Sequence, residues 1–186
     1  MDIGLLVYPR LTALDLIAPW EVLRRLPDSR THMIWTRAGP VLADGGLEIT
    51  TTVAFEDTPH VDLILVPGGP GQESLMKHTI LLDFLRARAG EAAWICAVST
   101  GALLLAQAGL LKGKRATTQE VAREALAAFD VEVVAAPWVI DGKLATSSGG
   151  AASSSLALEL TRRIAGDERA SAVAEELELH AIPTPD

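Results

Sequence analysis

The chain has a single cysteine, Cys96, and so cannot close an internal disulfide. A lone thiol suits a reducing compartment, and a cytoplasmic location is expected. Basic residues are outnumbered, 16 Lys and Arg against 24 Asp and Glu, for a net charge of −8. Nucleic-acid binders need Lys and Arg to displace counterions from phosphates, so no nucleic-acid partner is expected and the charge reads as solubility. Aromatics make up only 4% of residues, which leaves Leu, Val, Ile and Ala to fill the core. No uninterrupted apolar stretch reaches the roughly twenty residues of a membrane span. The opening "MDIGLLVYP" has neither a basic leader nor a long apolar run, so neither a signal peptide nor a membrane partner is expected. The four histidines, His32, His60, His78 and His180, show no H-x-x-x-H spacing, and one cysteine cannot form C-x-x-C. No metal site and no cofactor are expected.

What is present is a regular alternation. With 186 residues, 49% of them hydrophobic, the chain suits one well-buried domain over 1–186. Short apolar runs at Ile3–Tyr8, His32–Ala38, Val61–Gly69 and "AAWICAV" read as strands. Helical spacing follows at 13–26, with Pro19 suggesting that the helix proper starts near there, and at 72–89 and 100–108. Hairpins are expected at Asp44-Gly45-Gly46 and Asp141-Gly142. Short strands at 115–118 and near 131 flank a helix at 120–128, two further helices cover 151–166 and 168–180, and "IPTPD" reads as extended. Strands alternating with helices predict an α/β fold: a flavodoxin-like three-layer sandwich with a mostly parallel central sheet, helices on both faces and a small extra hairpin.

Ligands of such sheets bind beyond the carboxyl ends of the strands. Four loops qualify: after Tyr8, after Val66, after Val98, and around Ser147–Gly150. The "PGGPG" after Val66 offers either close backbone amides for a developing negative charge or a tight turn that needs positive φ. Asp15, between Leu14 and Leu16, is either a helix cap or a partly desolvated acid with a raised pKa. Glu21, further along the same helix, points either to the same pocket or to solvent. "V-S-T-G" at 98–101 places Ser99 at a strand-to-helix bend, over backbone amides that favour an anion. It lacks the first glycine of a G-x-S-x-G elbow, and no histidine falls in the neighbouring loops to act as base, which argues against a Ser-His-Asp hydrolase. Cys96, three residues earlier within the strand, reads as a buried core thiol.

Taken together, "IGLLVYPRLTALDLIAPWEVL", "VDLILVPGGPG", "VSTGALLLAQAGLLKGKRATT" and "LATSSGGAASSSLALEL" resemble, in order and spacing, the DJ-1/PfpI superfamily within the class I glutamine amidotransferase-like fold. The resemblance is nearest to the isocyanide (isonitrile) hydratase branch and to the sensor domains of AraC-type regulators. In that branch an elbow cysteine attacks the isocyanide carbon, an Asp shuttles a proton, and water releases an N-substituted formamide. By position, the resemblance makes Ser99 the nucleophile, Asp15 the acid/base and Thr100 the neighbouring hydroxyl. Gly69, Pro70, Gly101, Gln119 and Ser148 would line the substrate and oxyanion pocket. Gln119 stands where many relatives have a His. The departure is Ser99 itself, which occupies the cysteine's place. It is either native to a chain that binds without covalent chemistry or runs another reaction, or a replacement that silences the nucleophile. The resemblance therefore implies a weakened or altered hydratase acting on a small molecule, or a non-catalytic ligand-binding or sensor domain. Protease, glyoxalase and deglycase branches pair Glu and His with the Cys, and neither partner is clear here. A homodimer is implied, with the 41–50 hairpin and the tail "HAIPTPD" as contributors. The geometric expectation is that the Ser99 hydroxyl lies within reach of the Asp15 carboxyl.

Overall fold

The computed structural model describes residues 1–179. His180 and the "IPTPD" tail lie outside the described residues. Eleven strands and seven α-helices follow one another in the order implied by the apolar runs, with shorter bounds. The first half runs β1 (Asp2–Leu6), α1 (Ala13–Leu23), β2 (Arg30–Trp35), β3 (Gly39–Leu42), β4 (Glu48–Thr51), β5 (Val53–Ala54), β6 (Leu63–Val66), α2 (Gln72–Leu75), α3 (Thr79–Glu91) and β7 (Trp94–Val98). The second half runs α4 (Gly101–Gln107), β8 (Arg115–Ala116), α5 (Arg123–Ala127), β9 (Glu132–Val133), β10 (Trp138–Asp141), β11 (Leu144–Ser147), α6 (Ala151–Ala165) and α7 (Asp167–Glu176).

Seven strands form one sheet in the order β10-β11-β7-β6-β1-β2-β5. Every neighbouring pair is parallel except β10 with β11, which form the hairpin turned at Asp141-Gly142. The sheet is covered on both sides: α6 packs on α1 and α7, while α4 packs on α2 and α3. Burial on both faces explains why "LILV" in β6 is apolar at every position instead of alternating. β3 and β4 make the expected separate antiparallel hairpin. The parallel pair β8–β9 also stands apart from the main sheet. No helix among the described residues is long and apolar enough to cross a membrane.

Three local expectations need correction. Helix α1 starts at Ala13 and runs straight through Pro19. Pro19 cannot donate to the Asp15 carbonyl, but it is buried and, with Leu23, borders the same small apolar space as Cys96, Val98, Leu156 and Leu160. The helix expected over 72–89 is two helices: the first ends at Leu75, and His78 caps the second by accepting the Leu81 amide on Nδ1 at 3.1 Å. The segment at 120–128 begins as a 3₁₀ turn, Glu120–Ala122, before α5.

The chain goes from β1 outward to β2, and from β6 in the opposite direction to β7 and β11. The reversal lies between β1 and β6, and their carboxyl ends lead into residues 7–12 and 67–71. These two loops are stitched together: Thr12 N donates to Gly68 O at 2.8 Å, and Gly71 N to Arg10 O at 3.1 Å.

Candidate functional site

Ser99 follows β7 with φ at +53°, a left-handed conformation that β-carbon-bearing residues adopt at a strain of about 1–3 kcal/mol. The bend persists because both backbone groups are held. Ser99 N donates to Ser147 O at 2.8 Å, and Ser99 O accepts from Thr118 Oγ1 at 2.8 Å. Two residues later the chain must be glycine for a different reason. A β-carbon on Gly101 would lie 2.2 Å from Val66 O and 2.7 Å from Pro67 O. The "STG" is thus a packed elbow that holds one side chain at the sheet's carboxyl edge. Ser99 is only 6% exposed, and its hydroxyl has no hydrogen-bond partner among the described residues.

Asp15 sits in the first turn of α1, behind the capping position Thr12, so the cap reading is not what the fold uses. Its side chain turns inward and is 4% exposed. Oδ1 accepts the Gly150 amide at 3.3 Å. Burial pushes the carboxyl above its ordinary range, and the amides of Gly150 and Gly68 pull it back only in part. A methyl group on Gly149 would lie 3.3 Å from Asp15 Oδ1 and 3.4 Å from Ser99 Oγ. One on Gly68 would lie 2.8 Å from both Asp15 Oδ2 and Ser99 Cβ. The acid and the serine side chain both adjoin Gly68 and Gly149, whose lack of side chains leaves room between them.

Above this pair opens a cleft of about 290 Å³. Ser99, Thr100, Gly69, Pro70 and Gln119 line it, as does a second group not singled out from the sequence: Thr12, Gln72 and Glu73. These three follow the ends of β1 and β6, the loops where a ligand was expected, so position in the topology was the available signal. Gly101 does not line the cleft, because it is buried beneath the elbow. Ser148 lines a neighbouring cavity on the far side of Gly149. Glu21 is turned away, bonded to Arg24 and Arg25.

The "PGGPG" loop is tight because backbone meets backbone. A β-carbon on Gly69 would lie 2.4 Å from Thr12 N, and one on Gly71 1.9 Å from Pro9 O. Its amides are already engaged: Gly69 N donates to Thr100 Oγ1 at 3.0 Å, Gly71 N to Arg10 O, and Gln72 N to Gly69 O. Thr100 therefore spends its hydroxyl on fixing this loop. The amides of Thr100 and Gly101, just past the serine, have no acceptor among the described residues, and of the two residues Thr100 lines the cleft.

The described histidines serve elsewhere. His32 bonds Asp2 Oδ1 at 2.8 Å, His60 bonds Asp62 Oδ1 at 3.3 Å, and His78 caps α3. Cys96 is fully buried in β7, and its thiol is pushed up by desolvation, away from reactivity. Among the described residues no three His, Cys, Asp or Glu side chains cluster to hold a metal.

A stability test reads Asp15 directly. Between its ordinary value of 3.8 and the raised one, the folded chain keeps a proton that the unfolded chain has released. This group's contribution to stability therefore falls as pH rises through that window and stays reduced above it. The Asp15→Asn variant lacks that loss. It is expected to melt higher than the unsubstituted protein at about pH 7.5, with the gap closing toward about pH 4. A gap independent of pH in thermal melts would contradict the buried-acid assignment.

The architecture agrees with comparisons to known proteins. The family model "DJ-1/PfpI family" matches residues 1–163. An isonitrile hydratase from Pseudomonas putida is 40% identical over 185 residues, covering 100% of this chain and 80% of the relative. An HTH-type transcriptional regulator from Pseudomonas aeruginosa is 32% identical over 97% of this chain, which spans only 56% of that protein. A crystal structure of a ThiJ/PfpI family protein from Pseudomonas syringae superposes with a TM-score of 0.93 at 30% identity, covering 98% of this chain and 76% of the other. With a match running over most of its length and a full-length relative at this level of identity, the chain belongs to the DJ-1/PfpI family.

Proposed function

We propose that the protein is a small-molecule enzyme of the isocyanide hydratase type, slowed by a hydroxyl where the family chemistry calls for a thiol. The observation that carries this reading is the convergence of Ser99 Oγ and the Asp15 carboxyl on one glycine-bordered space beneath the cleft. In the first step Ser99 Oγ bonds to the terminal carbon of R–N≡C. Asp15 takes the hydroxyl proton and passes it to that carbon, giving the imidate Ser–O–CH=N–R. Water then adds to the imidate carbon and the bond between Ser99 Oγ and that carbon breaks. The serine recovers its proton and R–NH–CHO leaves, so the net change is addition of one water. The amides of Thr100 and Gly101 would steady charge near the reacting atoms. A carboxyl raised by burial suits the proton-return step better than an exposed one.

A second reading, a ligand-binding or sensor domain, is favoured by a specific pair of observations. Among the described residues no histidine reaches Ser99, and the chain aligns over nearly its full length with a transcriptional regulator about twice as long. Incubation with p-nitrophenyl isocyanide separates the two readings by following formamide formation. Slow turnover that vanishes in Asp15→Asn supports the enzyme. Absence of turnover in both the protein and its Ser99→Cys variant favours the binder.

The assembly proposed with this function is a cytoplasmic homodimer. Leu42 and Leu47, on either side of the 43–46 turn, are 58% and 47% exposed, and Leu14 beside the site is 57% exposed. The turn is held against the site loops by Arg10 N to Leu42 O and Asp44 N to Leu11 O, both 2.8 Å. Three exposed leucines near the cleft suit contact with a second copy. Replacing Leu42 and Leu47 together by Glu is expected to convert a dimer to a monomer in sedimentation. A dimer that survives the double change would place the interface elsewhere.

A further inference from the structure

The cavity on the far side of Gly149 has a feature that the chemistry at Ser99 does not use. It is a shallow, open depression of about 430 Å³ between α5, the segment before β10, and the start of α6. Its floor is small and apolar, from Ala135, Ala136, Pro137, Ala151 and Ala152, and Arg123 stands at its edge. Four arginines of the described residues are partly buried: Arg25, Arg88, Arg123 and Arg169. Arg25 pairs with Glu21 and Glu176, Arg88 bonds Pro59 O and Glu91, and Arg169 bonds Arg25 O. Arg123 has no hydrogen-bond or ion-pair partner among the described residues, and its Nε is fully enclosed.

This is a costly arrangement to leave unfilled. A guanidinium nitrogen withdrawn from water without an acceptor loses hydration and recovers nothing. A remedy was at hand, since Glu120 and Glu124 are exposed neighbours in the same segment, yet no ion pair with either forms. In a chain of net charge −8, an unpaired cation beside a hollow is the one local attraction for an anion. The opposite wall adds to it. Ser148 lines the cavity, and the Ala151 amide, at the first position of the 15-residue α6, has no acceptor among the described residues. A planar guanidinium with apolar ground beside it matches a carboxylate on a short hydrocarbon body better than a compact inorganic ion.

We propose that this cavity binds the carboxylate group of a small organic acid, with Arg123 as its counter-charge. The assignment does not rest on any reaction at Ser99. Isothermal titration of the protein with sodium butyrate tests it. Saturable binding is expected, weakening as salt is raised. In Arg123→Gln the affinity should fall about tenfold or more, since one charge-assisted pair is removed. Arg123→Lys, which keeps the charge but loses the planar fork, should fall between the two. Without butyrate, Arg123→Gln should melt no lower than the unsubstituted protein, because an unpartnered enclosed Nε has gone. Failure of the unsubstituted protein to bind butyrate overturns the proposal, as does equal binding by Arg123→Gln and Arg123→Lys and the unsubstituted protein.

Discussion

Ser99→Cys is expected to raise the rate of p-nitrophenyl isocyanide hydration by on the order of a thousandfold. A thiol with a pKa of about 8.5 is a few per cent thiolate at neutral pH, whereas an alcohol ionises several units higher. The elbow already meets the other needs of a nucleophile. Its backbone is pinned at φ +53°, the amides of Thr100 and Gly101 lack acceptors among the described residues, and the Asp15 carboxyl borders the same small space. The larger population of the reactive anion and the greater intrinsic nucleophilicity of sulfur act in the same direction. The gain should grow as pH rises through the thiol's ionisation, while any basal rate of the serine form stays nearly flat. Adding Asp15→Asn to Ser99→Cys should remove most of the gain. Equal rates for the serine and cysteine forms would break the link between residue 99 and bond formation.

Gly101→Ala should destabilise the fold by roughly 3 kcal/mol or more, since overpacking against rigid atoms is among the severest single changes. The added carbon would meet Val66 O at 2.2 Å, at the end of a fully buried strand. The adjacent Pro67 O cannot easily retreat, because it accepts the buried Tyr8 hydroxyl at 2.9 Å. In a chain of this size the melting temperature should drop by about 6–12 °C. Gly90 supplies the control. It lies inside α3 with nothing within 4 Å of an added carbon, so Gly90→Ala should be neutral or stabilise by about 0.5–1 kcal/mol. Similar melting of the two variants would mean that the elbow has room that the distances deny.

The layers were readable in the sequence because parallel strands buried on both faces need unbroken apolar runs, and "LILV" and "WICAV" supply them. The bend at 98–101 was readable for a similar reason, since a buried strand meeting Ser-Thr-Gly has few ways to continue. What escaped was set by contacts distant in the chain. Pro19 looked like a helix start, but it is buried within α1, on the face that shares an apolar space with Cys96 and Leu160, far away in the chain. Asp15 resembled a cap until its inward turn toward Gly150, 135 residues away, decided between two locally equal readings. Ser148, placed in the pocket by the family resemblance, lines the cavity beside Ala136 and Pro137. Thr12, Gln72 and Glu73 carry no motif, and only the adjacency of β1 and β6 brings them to the cleft.

The seam between residues 9–12 and 67–71 has a bearing on how this protein can diversify. Where main chain presses on main chain, as at Gly69 and Gly71, no side chain can be admitted without parting the loops. The floor of the cleft is thus closed to evolutionary tinkering. Selectivity is left to the side chains that line the cleft, Thr12, Gln72, Glu73 and Gln119 among them.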